Sequence, residues 1–328
     1  MRKIYMLTMS LFICMGALAG NNGTIGENLN WAFADGTLTI SGTGEMEHAE
    51  GNSGYAWGGE EPKLDRTLIK KVVVEEGVTS LGEYIFWDCQ SLTEVKLPNS
   101  LTALRKQCFK SCTSLKSITL PNKISLIEES AFENCSALET VTFPKSLKEV
   151  HEHAFYSCNL KKVDLSQTQV ETIGSAAFAQ NAHCEEVYLP KTLKTLEGDD
   201  EGTFSSCGVK KAVCSAVVPP KTIIGGFNLI TLEKNTNPAE YNDIFQGSAD
   251  DFVLEVPAGS VKDYKNANGW KYAASHITTG IRGVKAAQAK VGVYDISGKR
   301  YMSHADAQAI STLQHGVYII NGKKVLVK

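Results

Sequence analysis

The residue types best suited to chemistry in this chain are its histidines and cysteines. His151-Glu152-His153 is the densest group of metal-ligating types, and alternation along an extended segment would set both imidazoles on one side, as a two-His metal site requires. The tripeptide precedes Phe155, however, where equivalent stretches read Arg105-Lys106-Gln107 and Glu128-Glu129-Ser130, so a solvated turn is expected and no metal. Cys89, Cys112, Cys135, Cys158 and Cys207 each follow a phenylalanine at the third position after it, and Asn181 takes the same register once. A cysteine recurring at one inward position acts as a small buried apolar group, and the Cβ vectors of stacked neighbours run parallel rather than toward each other. Free thiols are expected, and no Cys-x-x-Cys or Cys/His spacing suits zinc. The sequence has no G-x-S-x-G elbow, P-loop, dinucleotide fingerprint, H-E-x-x-H or EF-hand pattern, so neither a catalytic residue nor a cofactor is expected. Tyr55 and Trp57, set among glycines, would either stack on a sugar or seal the first turn of the fold.

The spacing of these residues points to the elements that carry them. Phe86, Phe109, Phe132, Phe155 and Phe178 recur at a constant interval, each at i+23 from the one before, and Phe204 follows after a short expansion at 198–202. A proline lies at i+12 from four of them, at Pro98, Pro121, Pro144 and Pro190, and Phe245 to Pro257 repeats that interval. Phe227, although at i+23 from Phe204, lacks the downstream strand and proline and reads as a coincidence inside an insertion near 220–240. Each unit also holds an L-x-x-V-x-L segment, such as Leu92, Val95, Leu97 or Leu115, Ile118, Leu120, whose period-2 alternation and β-branched residues predict a strand. Strands are expected at 69–74, 92–97, 115–120, 138–143, 160–165, 184–189, 209–214 and 251–256. A unit of this size cannot bury its apolar side alone, so neighbours must stack, with the strands in one parallel sheet and the phenylalanines in one column. The expected fold is a right-handed solenoid of stacked repeats with a spine of about 35 Å, at about 4.8 Å per strand.

The third and fifth residues of each segment face away from such a core. They form one row of Lys71, Glu94, Ser117, Thr140, Lys162, Glu186 and Lys211, and another of Val73, Lys96, Thr119, Thr142, Asp164, Tyr188 and Val213. The candidate binding residues are Glu94, Lys96, Lys162, Asp164, Glu186, Tyr188 and Lys211, with Tyr188 as the aromatic anchor inside a polar rim.

The units "SLTEVKLPNSLTALRKQCFKSC", "SLKSITLPNKISLIEESAFENC" and "ALETVTFPKSLKEVHEHAFYSC" resemble the BspA-like leucine-rich repeats of secreted and surface proteins of Bacteroidota. Upstream, "GENLNWAFADGTLTISGTGEM" resembles the β-rich cap that precedes such repeats, and "LEVPAGSVKDYKNANGWKYAASHI" resembles their closing unit. The resemblance implies a surface protein that binds protein or glycoprotein, in adhesion for example, without catalysis. A carbohydrate-binding surface protein and a purely structural envelope protein are the alternatives. Residues 279–328 read as strands broken by turns at Ser297-Gly298 and Asn321-Gly322; they resemble a type IX sorting segment, and a small closing β-module is the other reading.

Arg2-Lys3, the apolar run from Ile4 to Leu18 and Ala17-Leu18-Ala19 have the order of a secretory signal peptide, with cleavage expected after Ala19; a lipid anchor on Cys14 fits less well. The expected domains are therefore 1–19 leader, 20–66 cap, 67–278 repeats with their insertion and closing unit, and 279–328 tail. Without the leader, which holds two of the 33 basic residues and none of the 36 acidic ones, the chain has a net charge of −5, which disfavours a nucleic-acid partner. No other run is long enough to span a bilayer, and a monomer at the cell surface or secreted is expected.

Overall fold

The computed structural model describes residues 22–25, 28–46, 64–198, 202–224, 227–228, 233–234, 244–245, 247–270, 273 and 276–277, and strands at 293–295, 300–302, 316–320 and 323–327. The leader, Tyr55, Trp57 and most of the insertion lie outside these residues. The chain divides into two compact units, Met1–Gly280 and Ile281–Lys328.

The first unit is a parallel β-solenoid preceded by an antiparallel cap. The cap strands Asn22–Ile25, Leu29–Ala34 and Thr37–Gly42 pair in sequence order, and Thr37–Gly42 then pairs in parallel with Lys71–Val74, the first strand of the coil. Strands recur at Glu94–Lys96, Ser117–Thr119, Thr140–Thr142, Lys162–Asp164, Glu186–Leu189, Lys211–Cys214 and Val253–Glu255. Every expected strand is present and each is parallel to its paired predecessor. The expected single sheet is not: the ladder falls into three pieces, ending at Glu94–Lys96, containing Ser117–Thr119 with Thr140–Thr142, and beginning again at Lys162–Asp164. The second break has a cause in the sequence. From Ile69 to Leu138 the units advance by 23, but Leu138 to Leu160 is 22, so the strand at 162–164 arrives one position early. The first break falls between units of equal length.

Two further ladders tie the coils together. A second parallel sheet of eight strands contains Val78–Leu81, Ala103–Leu104, Leu126–Ile127, Glu149–Val150, Thr172–Ile173, Thr195–Gly198 and Lys221–Ile224, entered through Gly44–Glu45. The turn around each phenylalanine forms the third ladder: the N–H groups of Tyr84, Phe86 and Asp88 donate to the carbonyls of Lys106, Cys108 and Lys110 one coil on, and later coils repeat this. Left-handed residues flank the phenylalanine on both sides, as at Gln107 and Ser111 or Ser130 and Asn134, with φ between 55° and 62°. Short polar side chains tolerate that conformation best, which is why the stretch is polar.

Inside the coils, Phe86, Phe109, Phe132, Phe155, Phe178, Phe204 and Phe245 are fully buried. They stack with centroids 5.0–5.4 Å apart. Phe245 rather than Phe227 continues the column after Phe204, as its downstream proline implies. The closing unit ends the stack with Phe252, Tyr264 on the short helix Val261–Asn266, and Trp270, whose indole N–H donates to the Pro220 carbonyl at 3.1 Å.

All eight cysteines after Ala19 are free and buried. They are more than apolar filler. The thiols of Cys112, Cys135, Cys158 and Cys207 donate to the carbonyls of Phe86, Phe109, Phe132 and Phe178 at 3.1–3.2 Å, satisfying a buried acceptor in the preceding coil. Asn181 does the same for Phe155 at 2.9 Å and also accepts the Leu160 N–H at 2.9 Å. In regular units that N–H returns to the cysteine carbonyl at i−3, as Leu115 does to Cys112 and Leu138 to Cys135. Between Cys158 and Leu160 one residue is missing and the turn cannot close, so an amide replaces the thiol in the next coil.

The second unit is a four-stranded antiparallel sheet of Arg300–Met302, Val293–Asp295, Gly316–Ile320 and Lys323–Val327 in that spatial order. Val293–Asp295 pairs with Arg300–Met302 and Gly316–Ile320 with Lys323–Val327, while Ser297-Gly298 and Asn321-Gly322 lie outside the described residues.

Candidate binding site

Alternation along each strand puts Val163, Val187 and Ala212 into the core and their neighbours outward. Parallel pairing then aligns Lys162 with Glu186 and Lys211, and Asp164 with Tyr188 and Val213. The result is one compact cluster on the four-stranded piece of the ladder. Lys162 Nζ lies 3.0 Å from Asp164, 4.0 Å from Glu186 and 4.4 Å from the centre of the Tyr188 ring. The Tyr188 hydroxyl donates to Glu186 at 3.2 Å, and Lys211 pairs with Glu255 at 3.1 Å.

The charges in this cluster are mutually sustained. The Asp164 bond holds the Lys162 ammonium above its ordinary range, and the Glu255 bond does so for Lys211. Desolvation works against the Asp164 carboxylate, but hydrogen bonds from Ser166 and Lys162 outweigh it and lower its pKa. Partial burial, then the Glu186 charge, raises the Tyr188 phenol. At neutral pH the cluster therefore offers a half-buried aromatic ring with a cation on its face and carboxylates at its rim. That arrangement can stack or hydrogen-bond with a ligand.

Glu94 and Lys96 stand apart from it. They lie on the strand that ends the first piece of the ladder, with Glu94 held by Lys71 at 2.9 Å and by Lys96 at 3.7 Å. The exposed hydroxyls of Ser117, Thr119, Thr140 and Thr142 occupy the two strands between the patches. Five of the seven candidate residues are thus brought together and two are not.

The histidine pair engages separate neighbours, His151 Nε2 lying 3.4 Å from Glu149 and His153 Nδ1 3.1 Å from Glu152, with His153 left-handed at φ 53°. Among the described residues no cluster of three or more His, Cys, Asp or Glu could hold a metal, and no helix is long and apolar enough to cross a membrane.

A groove of about 670 Å³ borders the cluster at the start of the same strands, where Lys161, Glu185 and Lys210 immediately precede Lys162, Glu186 and Lys211. No motif marks it. Its one signal in the sequence is the run of irregular intervals from Leu138 to Leu160, Cys184 and Val209, where the step is first one short of 23 and then one and two over it.

Residues 64–138 and 102–219 match the family described as BspA type leucine rich repeat region, in six copies. Among solved structures the chain is similar to a leucine-rich repeat protein of T. pallidum at 24% identity and a TM-score of 0.44, covering 59% of this chain and 82% of that one. It is also similar to a leucine-rich repeat protein of Bacteroides ovatus at 14% identity and a TM-score of 0.30, over 71% of this chain and 90% of that one. A leucine-rich cell surface protein of Faecalibacterium prausnitzii aligns at 15% identity and a TM-score of 0.31, over 80% and 96%. No curated protein matches the chain.

Proposed function

Because residues 64–219 are a BspA type leucine-rich repeat region, we propose that this chain is a secreted or surface-displayed binding protein. It recognises a protein or glycoprotein through the outer face of the strands from Lys162 to Glu255. Solenoids of this family generally act without catalysis, and a parallel array of outward side chains over a repeated core is their usual recognition surface. The observation that carries the reading is Tyr188: a half-buried ring 4.4 Å from the Lys162 ammonium and bonded to Glu186 is a large, pre-ordered anchor within a polar rim. Glu94 and Lys96 form a second contact patch in this reading. The leader 1–19 is removed on export, the body spans 20–278, and the tail 279–328 directs sorting or attachment.

The test is an array of immobilised secreted and membrane glycoproteins probed with the full chain, with Tyr188→Ala and Lys162→Ala run beside it. A protein bound by the parent should bind Tyr188→Ala more weakly by about 1–2 kcal/mol, with the melting temperature little changed. Unchanged affinity in both variants would move the site off this face.

A further inference from the structure

The groove beside the sheet face is built where the repeat departs from its own rule, and the departure is compensated in the core. Units of constant length would continue the spacing that holds from Ile69 to Leu138. Instead Asn159 and Gly208 each stand alone where a pair of residues separates the column residue and the strand in other units, and the ordinary pair Ala182 and His183 belongs to the coil between them. Asn181, fully buried, supplies the bonds that the short unit lacks. Gly208 lets the backbone close up, since a Cβ there would lie 2.4 Å from the Ala182 carbonyl oxygen. Local rules broken and then repaired by a dedicated polar network are a mark of a functional site.

The lining states what fits. Along the groove Glu139, Lys161, Glu185 and Lys210 alternate in sign, paired as Glu139 with Lys161 at 2.6 Å and Glu185 with Lys210 at 2.7 Å. Across it His183 Nδ1 meets the Asn159 side-chain oxygen at 2.7 Å. Ala182, Gly208 and Ala249 leave room below. A ligand of either net charge would meet one repelling group for each attracting one. A hydroxyl both donates and accepts, so it can use an ammonium with spare N–H groups and a carboxylate with spare lone pairs equally well. The coils succeed one another at about 4.8 Å, the scale of one pyranose ring, and the volume is that of an ordinary small-ligand site.

We propose that the groove walled by Glu139, Asn159, Lys161, His183, Glu185 and Lys210 is a binding site for a neutral oligosaccharide of about two or three rings. This goes beyond the protein-recognition reading and is independent of Tyr188.

The experiment titrates the full chain with neutral gluco-, manno-, galacto- and xylo-oligosaccharides, with sialylated glycans and mixed-charge peptides alongside, following the His183 imidazole by NMR. At least one neutral oligosaccharide should shift that resonance, with an affinity unchanged between about 0.05 and 0.5 M salt because no net charge is neutralised. Ala182→Trp, at an exposed position that leaves the core intact, should fill the floor and weaken binding by about ten-fold or more, and Lys161→Gln by a smaller factor. Tyr188→Ala should bind the saccharide as the parent does, which separates this site from the sheet-face reading. Binding of peptides or sialylated glycans alone, affinity that falls steeply with salt, full retention in Ala182→Trp, or no shift with any neutral oligosaccharide would each overturn the proposal.

Discussion

The solenoid has a regular half and an irregular half, and they differ in what they expose. From Ile69 to Leu138 every unit has the same length, the column cysteines bond the preceding phenylalanine carbonyls, and the last two strands show only Ser117, Thr119, Thr140 and Thr142 to solvent. From Leu160 to Val256 the intervals vary, an asparagine replaces a cysteine, and both the Tyr188 cluster and the groove appear. The phenylalanine stack runs unbroken through both, at 5.0–5.4 Å. The interior is therefore common property, while surface chemistry concentrates where the coil length is allowed to change.

The hardest way to break the comparison is through the shared column. Phe132→Ala removes a ring with stacked neighbours at 5.2 and 5.1 Å and should cost about 3–5 kcal/mol by denaturant unfolding. A cost below about 1 kcal/mol would mean that the stack does not carry the fold. Asn181→Ala strands the Leu160 N–H and the Phe155 carbonyl and should cost about 2–3 kcal/mol, against about 1 kcal/mol or less for Cys135→Ala in a regular unit. Equal costs would remove the distinction between the two halves.

Alkali probes both halves at once. Burial pushes the Cys89 and Cys184 thiols from about 9 up to about 12. Above pH 9 the unfolded chain gives up these protons while the folded chain keeps them, so the unfolded state binds fewer. Stability is intact below about pH 9 and falls as pH rises toward 12, by at most about 1.4 kcal/mol per thiol per pH unit. Melting temperatures across that range should decline less in Cys89→Ala/Cys184→Ala. Burial likewise raises the thiols of Cys112 and Cys158, which should resist alkylation at about pH 8 until denaturant is added.

The smallest effect belongs to the regular half's ion pairs between coils. Lys110 and Glu133, 2.8 Å apart and mostly covered, should couple by only about 0.2–1 kcal/mol in a double-mutant cycle. A larger value would make charge, rather than the column, the tie between neighbouring coils.

How much of this could be read beforehand depends on how far each interaction reaches along the chain. The column and the parallel strands were legible because phenylalanine, cysteine and the L-x-x-V-x-L segment each repeat within one unit. The second ladder was missed because strands such as Ala103–Leu104 and Leu126–Ile127 are too short for alternation to show. The recurrence of Leu104, Ile127, Val150, Ile173 and Leu196 at the same interval as the phenylalanines was its available signal. The thiol-to-carbonyl bonds join residues 26 or 29 apart, and nothing local distinguishes a cysteine that donates from one that merely fills space. The outward rows were read correctly as rows. Their division into a Tyr188 cluster and a separate Glu94–Lys96 patch follows from ladder breaks, one of which is the single missing residue at Asn159. The groove has no motif at all, being the sum of two short connections on either side of one of ordinary length.

The three hydrogen-bond ladders also decide how the solenoid would respond to a pull. Their bonds lie along the axis of the coil, so tension applied between its two ends opens them in sequence instead of shearing them together. Each turn that lets go frees about 80 Å of chain, the reach of one repeat unit drawn out as extended polypeptide. Tethered at one end and bound at the other, such a body would release slack in steps under load, and the coils at the two places where the strand ladder is already interrupted, after Glu94–Lys96 and after Thr140–Thr142, would yield before the rest.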